Sequence, residues 1–243
     1  MKNLSRRTFL TGSMAAAGAA TVGFNSLFGF SRAFAQEAMG ENDDTQTIIN
    51  LAATAELFAS THYLAAINSA EALGLDESEV AYMKAAFISE RDHLDLLISL
   101  GATPVVTEFY VPETLFSDRA LFATITELAE TTFVSAYLAA TRIFAEAGAP
   151  AFAVTTAQIA AVEAEHRAFI REIGQLLPNN QSYAQFGFAN VSDAVPVLQA
   201  FLDGSGEGFV GPVAPPTDEE VAAIRAEAEM LGYDTTVLPY AAM

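Results

Sequence analysis

Two of the three histidines in the chain follow a glutamate at the same distance. Glu90 stands three residues before His93 in ISERDHLDLL, and Glu163 stands three residues before His166 in AVEAEHRAFI. Residues three apart in an α-helix lie on one face, about one turn from each other. Each pair therefore directs a carboxylate and an imidazole to the same side, which is an arrangement that can hold a metal ion.

Two further glutamates extend this pattern into an internal repeat. Glu56 is followed seven residues later by Tyr63, and Glu130 is followed seven residues later by Tyr137. The first glutamate precedes the glutamate of Glu-x-x-His by 34 residues in one half of the chain and by 33 in the other. A residue at position i+7 returns to the same helix face, so we expect each tyrosine to lie above the glutamate of its own helix.

The segments around Glu56 and Glu130 are apolar, LAATAELFA and ITELAETTFV. An unpaired carboxylate buried in such surroundings costs on the order of several kcal/mol. Four carboxylates that face one another therefore require cations. Together with two neutral imidazoles they balance two divalent ions, and oxygen and nitrogen donors suit iron or manganese.

Four long segments rich in helix-forming residues predict helices. Asp76 with Glu79 and Asp118 are placed to cap two of them, and Pro150 suits the first turn of another. The predicted helices cover residues 47–73, 76–100, 118–147 and 150–177.

The connections between the helices determine the topology. Two residues separate the helices within each half, so each half forms an antiparallel hairpin. Residues 102–117, between the halves, include two prolines. Extended at about 3.3 Å per residue, they can run the whole length of a bundle. The sequence therefore predicts an all-α fold, a four-helix bundle of the ferritin-like kind with a long crossover between helices two and three.

Residues 47–177 resemble the ferritin-like superfamily, and more narrowly the exported ferritin-like domain proteins that carry a twin-arginine signal. The resemblance implies a pair of iron or manganese ions bridged by Glu90 and Glu163. The ligands that it implies are Glu56, Glu90, His93, Glu130, Glu163 and His166.

Several residues allow a second interpretation. The glutamates and histidines could be surface pairs that stabilise helices. Glu127 lies one turn from Glu130 and rivals it as a ligand, although the repeat of Tyr137 favours Glu130. Tyr63 and Tyr137 are either hydrogen-bond donors to the ligands or ordinary core residues. His62 follows the first glutamate by six residues, about 240° around the helix, so we expect it to face away.

Residues 1–35 resemble a twin-arginine export signal. Arg6 and Arg7 lie in LSRRTFL, an Ala- and Gly-rich stretch follows, and a small-x-small cleavage site ends at Ala35. A membrane anchor is the alternative. We predict export by the twin-arginine machinery to the periplasm or beyond, cleavage after Ala35, a linker over 36–46 and no membrane span in the mature chain.

The chain carries 11 basic and 30 acidic residues, a net charge of −19. Removal of the signal takes away four basic residues, which leaves 7 − 30 = −23. This charge disfavours binding to nucleic acid or anionic lipid. It either makes the surface soluble or concentrates cations near it. The absence of cysteine excludes disulfides, thiolate metal sites and iron–sulfur clusters.

Residues 178–243 form a C-terminal extension of different composition. It holds a short helical candidate at 192–202 and the segment DGSGEGFVGPVAPP, which we expect to be flexible. A last helix is capped by Thr217 with Glu220. The extension could lie on the bundle or mediate a contact, such as that of a homo-oligomer.

Two functions fit these observations. The first is an exported di-metal oxidoreductase that breaks down peroxide, oxidises iron or reacts with dioxygen. The second is a non-catalytic bundle for storage, stress tolerance or binding at the cell envelope. The fold cannot choose between them, because one fold hosts many functions.

Overall fold

The structure, a computed structural model, describes residues 42–240. The predicted export signal, with Arg6, Arg7 and Ala35, lies outside the described residues. Within 42–240 no helix combines the length and the apolar character that crossing a membrane requires.

The described chain is mostly helical, with one sheet of two strands. Four long helices form the bundle, and shorter elements accompany them. The helices are α1 Thr45–Asn68, α2 Ala70–Leu73, α3 Glu77–Ser99, α4 Arg119–Glu146, α5 Pro150–Ile173, α6 Val195–Asp203 and α7 Asp218–Met230. The strands are β1 Phe109–Pro112 and β2 Phe209–Val213, and a 3-10 helix covers Val191–Ala194.

Local sequence explains where the helices begin. Asp76 and Glu79 form a complete capping box at the start of α3, and Thr217 and Glu220 do so for α7. Asp118 accepts two backbone N–H groups at the start of α4. Each cap satisfies donors that the first helical turn leaves unpaired, and the predicted caps are confirmed.

One predicted helix is interrupted, although it ends at Leu73 as predicted, and one predicted helix end is wrong. The first helix is interrupted at Ser69, and the separate turn α2 continues to Gly74, which has a left-handed φ of 63°. The fourth helix ends at Ile173 instead of reaching residue 177. There Gln175 takes a left-handed φ of 56°, which ends the helical hydrogen-bond pattern before the proline that we expected to end it.

The predicted bundle is confirmed. α1 packs against α3, α4 packs against α5, and residues 100–118 cross from the first hairpin to the second. Large buried side chains fill the space between the helices, among them Phe87 of α3, Phe122 of α4 and Ile170 of α5. The fold is therefore an all-α ferritin-like bundle with a long crossover and a C-terminal extension.

The crossover contains a strand that the sequence did not predict. β1 pairs antiparallel with β2, with Phe109 opposite Val213 and Pro112 opposite Phe209. β2 lies inside the segment 203–216 that we expected to be flexible, so that expectation is wrong for these residues. The cause is non-local, because the partner strand lies about 100 residues earlier in the chain.

The rest of the extension lies on the bundle. The 3-10 helix packs against α1 and α4, and α7 packs against α3. Ion pairs join α7 to α3, one between Lys84 and Glu227 and one of 2.6 Å between Arg225 and Asp92. Of the two arrangements expected for the extension, the structure shows contact with the bundle.

His62 is part of the packed core between α1 and α4. Its ring stacks on Phe122 at 5.4 Å between centroids, and only 5% of the residue is exposed. Nε2 lies 2.8 Å from the hydroxyl oxygen of Thr126. That hydroxyl donates to a backbone carbonyl, so the histidine nitrogen is the donor. Burial lowers the pKa of His62 from 6.5 to about 4.

This shift predicts acid-sensitive stability. Because folding favours the uncharged ring, the contribution is complete above pH 6.5 and is lost as pH falls toward 4. We expect the free energy of unfolding to drop by about 2 to 3 kcal/mol more in the unchanged protein than in His62→Gln between pH 7.5 and 4.5. Urea unfolding in metal-free buffer measures this, and equal pH dependence of the two proteins would contradict it.

Candidate metal centre

The predicted ligands meet near the middle of the bundle. They come from all four long helices: Glu56 from α1, Glu90 and His93 from α3, Glu130 from α4, and Glu163 and His166 from α5. Five of the six are at most 3% exposed, and the side chain of His93 is 13% exposed. The surface-pair interpretation therefore does not describe this arrangement.

The six side chains form two groups that share two glutamates. One group is Glu56, Glu90, His93 and Glu163, and the other is Glu90, Glu130, Glu163 and His166. In each group one oxygen or nitrogen atom from every residue lies within 4.8 Å of the others. The four carboxylates thus converge, as the repeat led us to expect.

Glu90 and Glu163 each turn one oxygen toward each histidine. Nδ1 of His93 lies 3.5 Å from Oε2 of Glu90 and 3.3 Å from Oε1 of Glu163. Nδ1 of His166 lies 2.9 Å from Oε1 of Glu90 and 3.1 Å from Oε2 of Glu163. A carboxylate oriented in this way can bridge two ions, each of which also binds one imidazole.

The other two glutamates are held by tyrosines of the opposite hairpin. Tyr63 of α1 donates to Oε1 of Glu130, and Tyr137 of α4 donates to Oε1 of Glu56. Of the two roles considered for the tyrosines, that of hydrogen-bond donor describes both, and the partner of each is the glutamate of the other helix rather than that of its own helix. Seven residues rise about 10 Å along a helix, which is beyond hydrogen-bond reach. α1 and α4 run antiparallel, so each tyrosine lies beside the glutamate of the other helix.

Protons neutralise the cluster when no cation is bound. Burial and repulsion by Glu163 raise the pKa of Glu56 and Glu130 well above the usual range. Burial alone would lower the pKa of both ligand histidines, but a carboxylate beside each imidazole raises it well above 6.5. Bound metal would take the place of these protons, so metal affinity should increase with pH.

The donor set fits a divalent metal pair. Eight buried side-chain atoms of the described residues lack a hydrogen-bond partner, and five of them belong to this cluster. These are both carboxylate oxygens of Glu90, Oε2 of Glu130, Oε1 of Glu163 and Nδ1 of His93. Most of these atoms face another member of the cluster as ion-pair partners, such as Oε1 of Glu90 and Nδ1 of His166 at 2.9 Å, so the set offers several oxygen and nitrogen donors at close range that metal ions could bind.

The structure separates the rival residues from the cluster. Oε1 of Glu127 accepts a 3.0 Å hydrogen bond from Arg167 and another from Arg171. Neither Glu127 nor His62 belongs to either metal-binding group of the described residues. The geometry therefore favours Glu130 on α4.

Sequence analysis did not single out Tyr82, which lies beside the cluster. Its ring is 6.2 Å from that of His166 and stacks on Phe169 at 3.7 Å. A signal was available, because Tyr82 precedes His93 by eleven residues, about three helical turns on the same face.

The hydrogen bonds from Tyr63 to Glu130 and from Tyr137 to Glu56 can be tested by removing each donor. Tyr63→Phe and Tyr137→Phe each remove the donor of one buried carboxylate oxygen. We expect each change to lower the free energy of unfolding by a similar amount, about 1 to 3 kcal/mol in urea titrations. Tyr183→Phe is the control, since Tyr183 is 88% exposed. A cost no larger than that of the control would show that these hydrogen bonds do not stabilise the fold.

Comparison with known proteins agrees with the fold. A family described as the ferritin-like domain matches residues 44–175, which is more than half of the chain and includes all six cluster residues. No curated protein and no solved structure matches the chain. The matched range coincides with the four-helix bundle and its crossover. The chain therefore belongs to the ferritin-like domain family.

Proposed function

We propose that this protein binds a pair of iron or manganese ions and uses them in oxidative chemistry with peroxide, dioxygen or ferrous iron. The observation that carries the proposal is the orientation of Glu90 and Glu163, each with one buried oxygen toward each histidine. A structural ion pair would not require this symmetry. Two metal positions that share both carboxylates would require it.

Each position would be completed by one glutamate and one histidine. Glu56 and His93 would complete the first, and Glu130 and His166 the second. Four carboxylates and two imidazoles balance the charge of two divalent ions, and the donors are all oxygen or nitrogen, which suits iron and manganese. When bound, such a pair supplies a redox couple for reaction with peroxide or dioxygen.

The protein's own side chains orient the ligands and limit access to them. Tyr63 and Tyr137 each engage one oxygen of a glutamate, which leaves the other oxygen for a metal. Five of the six proposed ligand residues are at most 3% exposed, so water reaches the cluster poorly. His93 is the exception, and it marks the side from which solutes can approach.

Metal content tests the proposal directly. Elemental analysis of protein from its native compartment should show about two iron or manganese ions per chain. His93→Ala or His166→Ala removes one ligand and should lower the metal content, whereas His62→Gln should retain it. Unchanged metal content in His166→Ala would overturn the ligand assignment.

Turnover separates the two functions that fit the sequence. Metal-loaded protein should consume hydrogen peroxide or oxidise ferrous iron, and His93→Ala should do so much more slowly. Protein that holds about two ions but turns over neither substrate would belong to the non-catalytic alternative.

The proposal also includes export of the mature protein by the twin-arginine pathway. Support comes from Arg6 and Arg7, the apolar stretch after them, and the small-x-small site that ends at Ala35. That pathway carries folded proteins, which suits a chain whose metal ligands converge only after folding.

Replacement of the arginine pair tests export. With Arg6 and Arg7 both changed to Lys, the precursor should remain in the cytoplasm when cells are fractionated. Arg32→Lys, outside the pair, is the matched control and should be exported normally. Unchanged processing of the double variant to a chain that begins at Gln36 would remove the twin-arginine assignment.

A further inference from the structure

A cleft of about 440 Å³ lies between α3 and α5. Both histidines of the metal centre line it, whereas the four glutamates of the centre do not. The imidazole of His93 is also the most exposed part of the centre. The cleft therefore leads from the protein surface to the histidine side of the cluster.

Residues 233–239, the C-terminal strap, cover the cleft. At one end of the strap the hydroxyl of Tyr233 donates to Oδ2 of Asp92 on α3, at 3.1 Å. Just beyond the other end, the backbone N–H of Tyr240 donates to Oε1 of Gln158 on α5, at 2.8 Å. The strap thus spans from one wall of the cleft to the other, and the extension forms part of this site.

The cleft combines apolar walls with acidic groups. Its apolar surface includes Leu96, Ile159 and Val162, and Tyr82 adds an aromatic ring beside His166. Asp92, Glu165 and Asp234 also line it; Asp92 is paired with Arg225, whereas no ion pair joins Glu165 or Asp234 to a cation among the described residues. No lysine or arginine lines the cleft between residues 42 and 240. The imidazoles of His93 and His166 are paired with the glutamates behind them, so the charge left unpaired in the cleft is that of Glu165 and Asp234. Such a site favours an apolar body and disfavours a negative charge.

The size of the cleft indicates a ligand larger than the oxidant. A water molecule occupies about 30 Å³ of liquid, and peroxide and dioxygen are of comparable size. Cavities of about 300 to 1,000 Å³ are typical of sites for small organic molecules. The cleft falls in this range and contacts the metal centre at its inner end.

We propose that this cleft binds a small organic molecule that has an apolar body and carries no negative charge, and that it holds this molecule beside His93 and His166. The inference rests on the proposed function in one respect, because the molecule would serve as the co-substrate of the metal centre. Binding itself depends on the walls of the cleft and does not require the metal.

Three compounds of one shape and different charge test the proposal. Benzyl alcohol is neutral, benzylamine is a cation and benzoate is an anion at neutral pH. Saturation-transfer NMR with the full mature chain should show saturable binding of the first two. Benzoate should bind at least about tenfold more weakly, because the unpaired carboxylates of Glu165 and Asp234 repel it. The measurement is made on protein as purified and on protein treated with a chelator.

Filling the cleft identifies the binding site. Val162→Trp places a large ring on the α5 wall and should weaken binding of benzylamine at least about tenfold. Ala168→Trp is the matched control, because Ala168 lies on the same helix but lines a different groove. Leu96→Trp repeats the test from the α3 wall, so the result does not depend on the folding of one variant.

The outcomes distinguish this inference from the proposed metal site. Equal binding of benzoate, no binding of any of the three compounds, or unchanged binding in both filled variants overturns the inference. Protein that contains no metal as purified but binds benzylamine in the cleft supports the inference and contradicts the proposed metal centre. Metal-loaded protein that binds none of the compounds does the reverse.

Discussion

Four carboxylates packed into one buried cluster are the constraint on which the rest of the structure depends. Each would lose its hydration on folding, and Glu56 and Glu130 are each repelled by Glu90 and Glu163, so the cluster is tolerable only when protons or cations neutralise it. In protein without metal, burial and this repulsion raise the pKa values of Glu56 and Glu130. A pair of divalent ions relieves the same repulsion and satisfies oxygen atoms that have no hydrogen-bond partner.

This constraint explains why the bundle is built from two similar hairpins. Each hairpin supplies two carboxylates and one imidazole, which is half of the cluster. The tyrosine hydrogen bonds cross between the hairpins, so each half completes the hydrogen bonding of the other. The two hairpins can pack in this way because the crossover runs back along the bundle from the end of α3 before α4 begins. As a result, α4 lies antiparallel to α1. The pairing of β1 with β2 then attaches the crossover to the extension.

The C-terminal extension lies at the side of the bundle where the cluster is most exposed. Its helix α7 is fastened to α3 by the Lys84–Glu227 and Arg225–Asp92 ion pairs. The chain that follows α7 crosses the cleft above His93 and His166. The ligand cluster is closed on the other sides by packed helices. The part of the extension that lines the cleft beside the two histidines contributes none of the six side chains of the cluster.

The sequence by itself determined the parts of this protein that depend on local spacing. Capping residues, helix periodicity and the 33- or 34-residue repeat were sufficient to predict four helices, their order, the long crossover and the convergence of the four glutamates, and the resemblance to the ferritin-like superfamily implied the full set of six. Only the tertiary structure decided which tyrosine bonds which glutamate, that Glu127 pairs with Arg167 and Arg171, and that β2 finds a partner in the crossover. The reason is physical. A helix face follows from residues three or four positions apart, whereas a contact between distant segments depends on how whole elements pack, and local sequence carries little of that information.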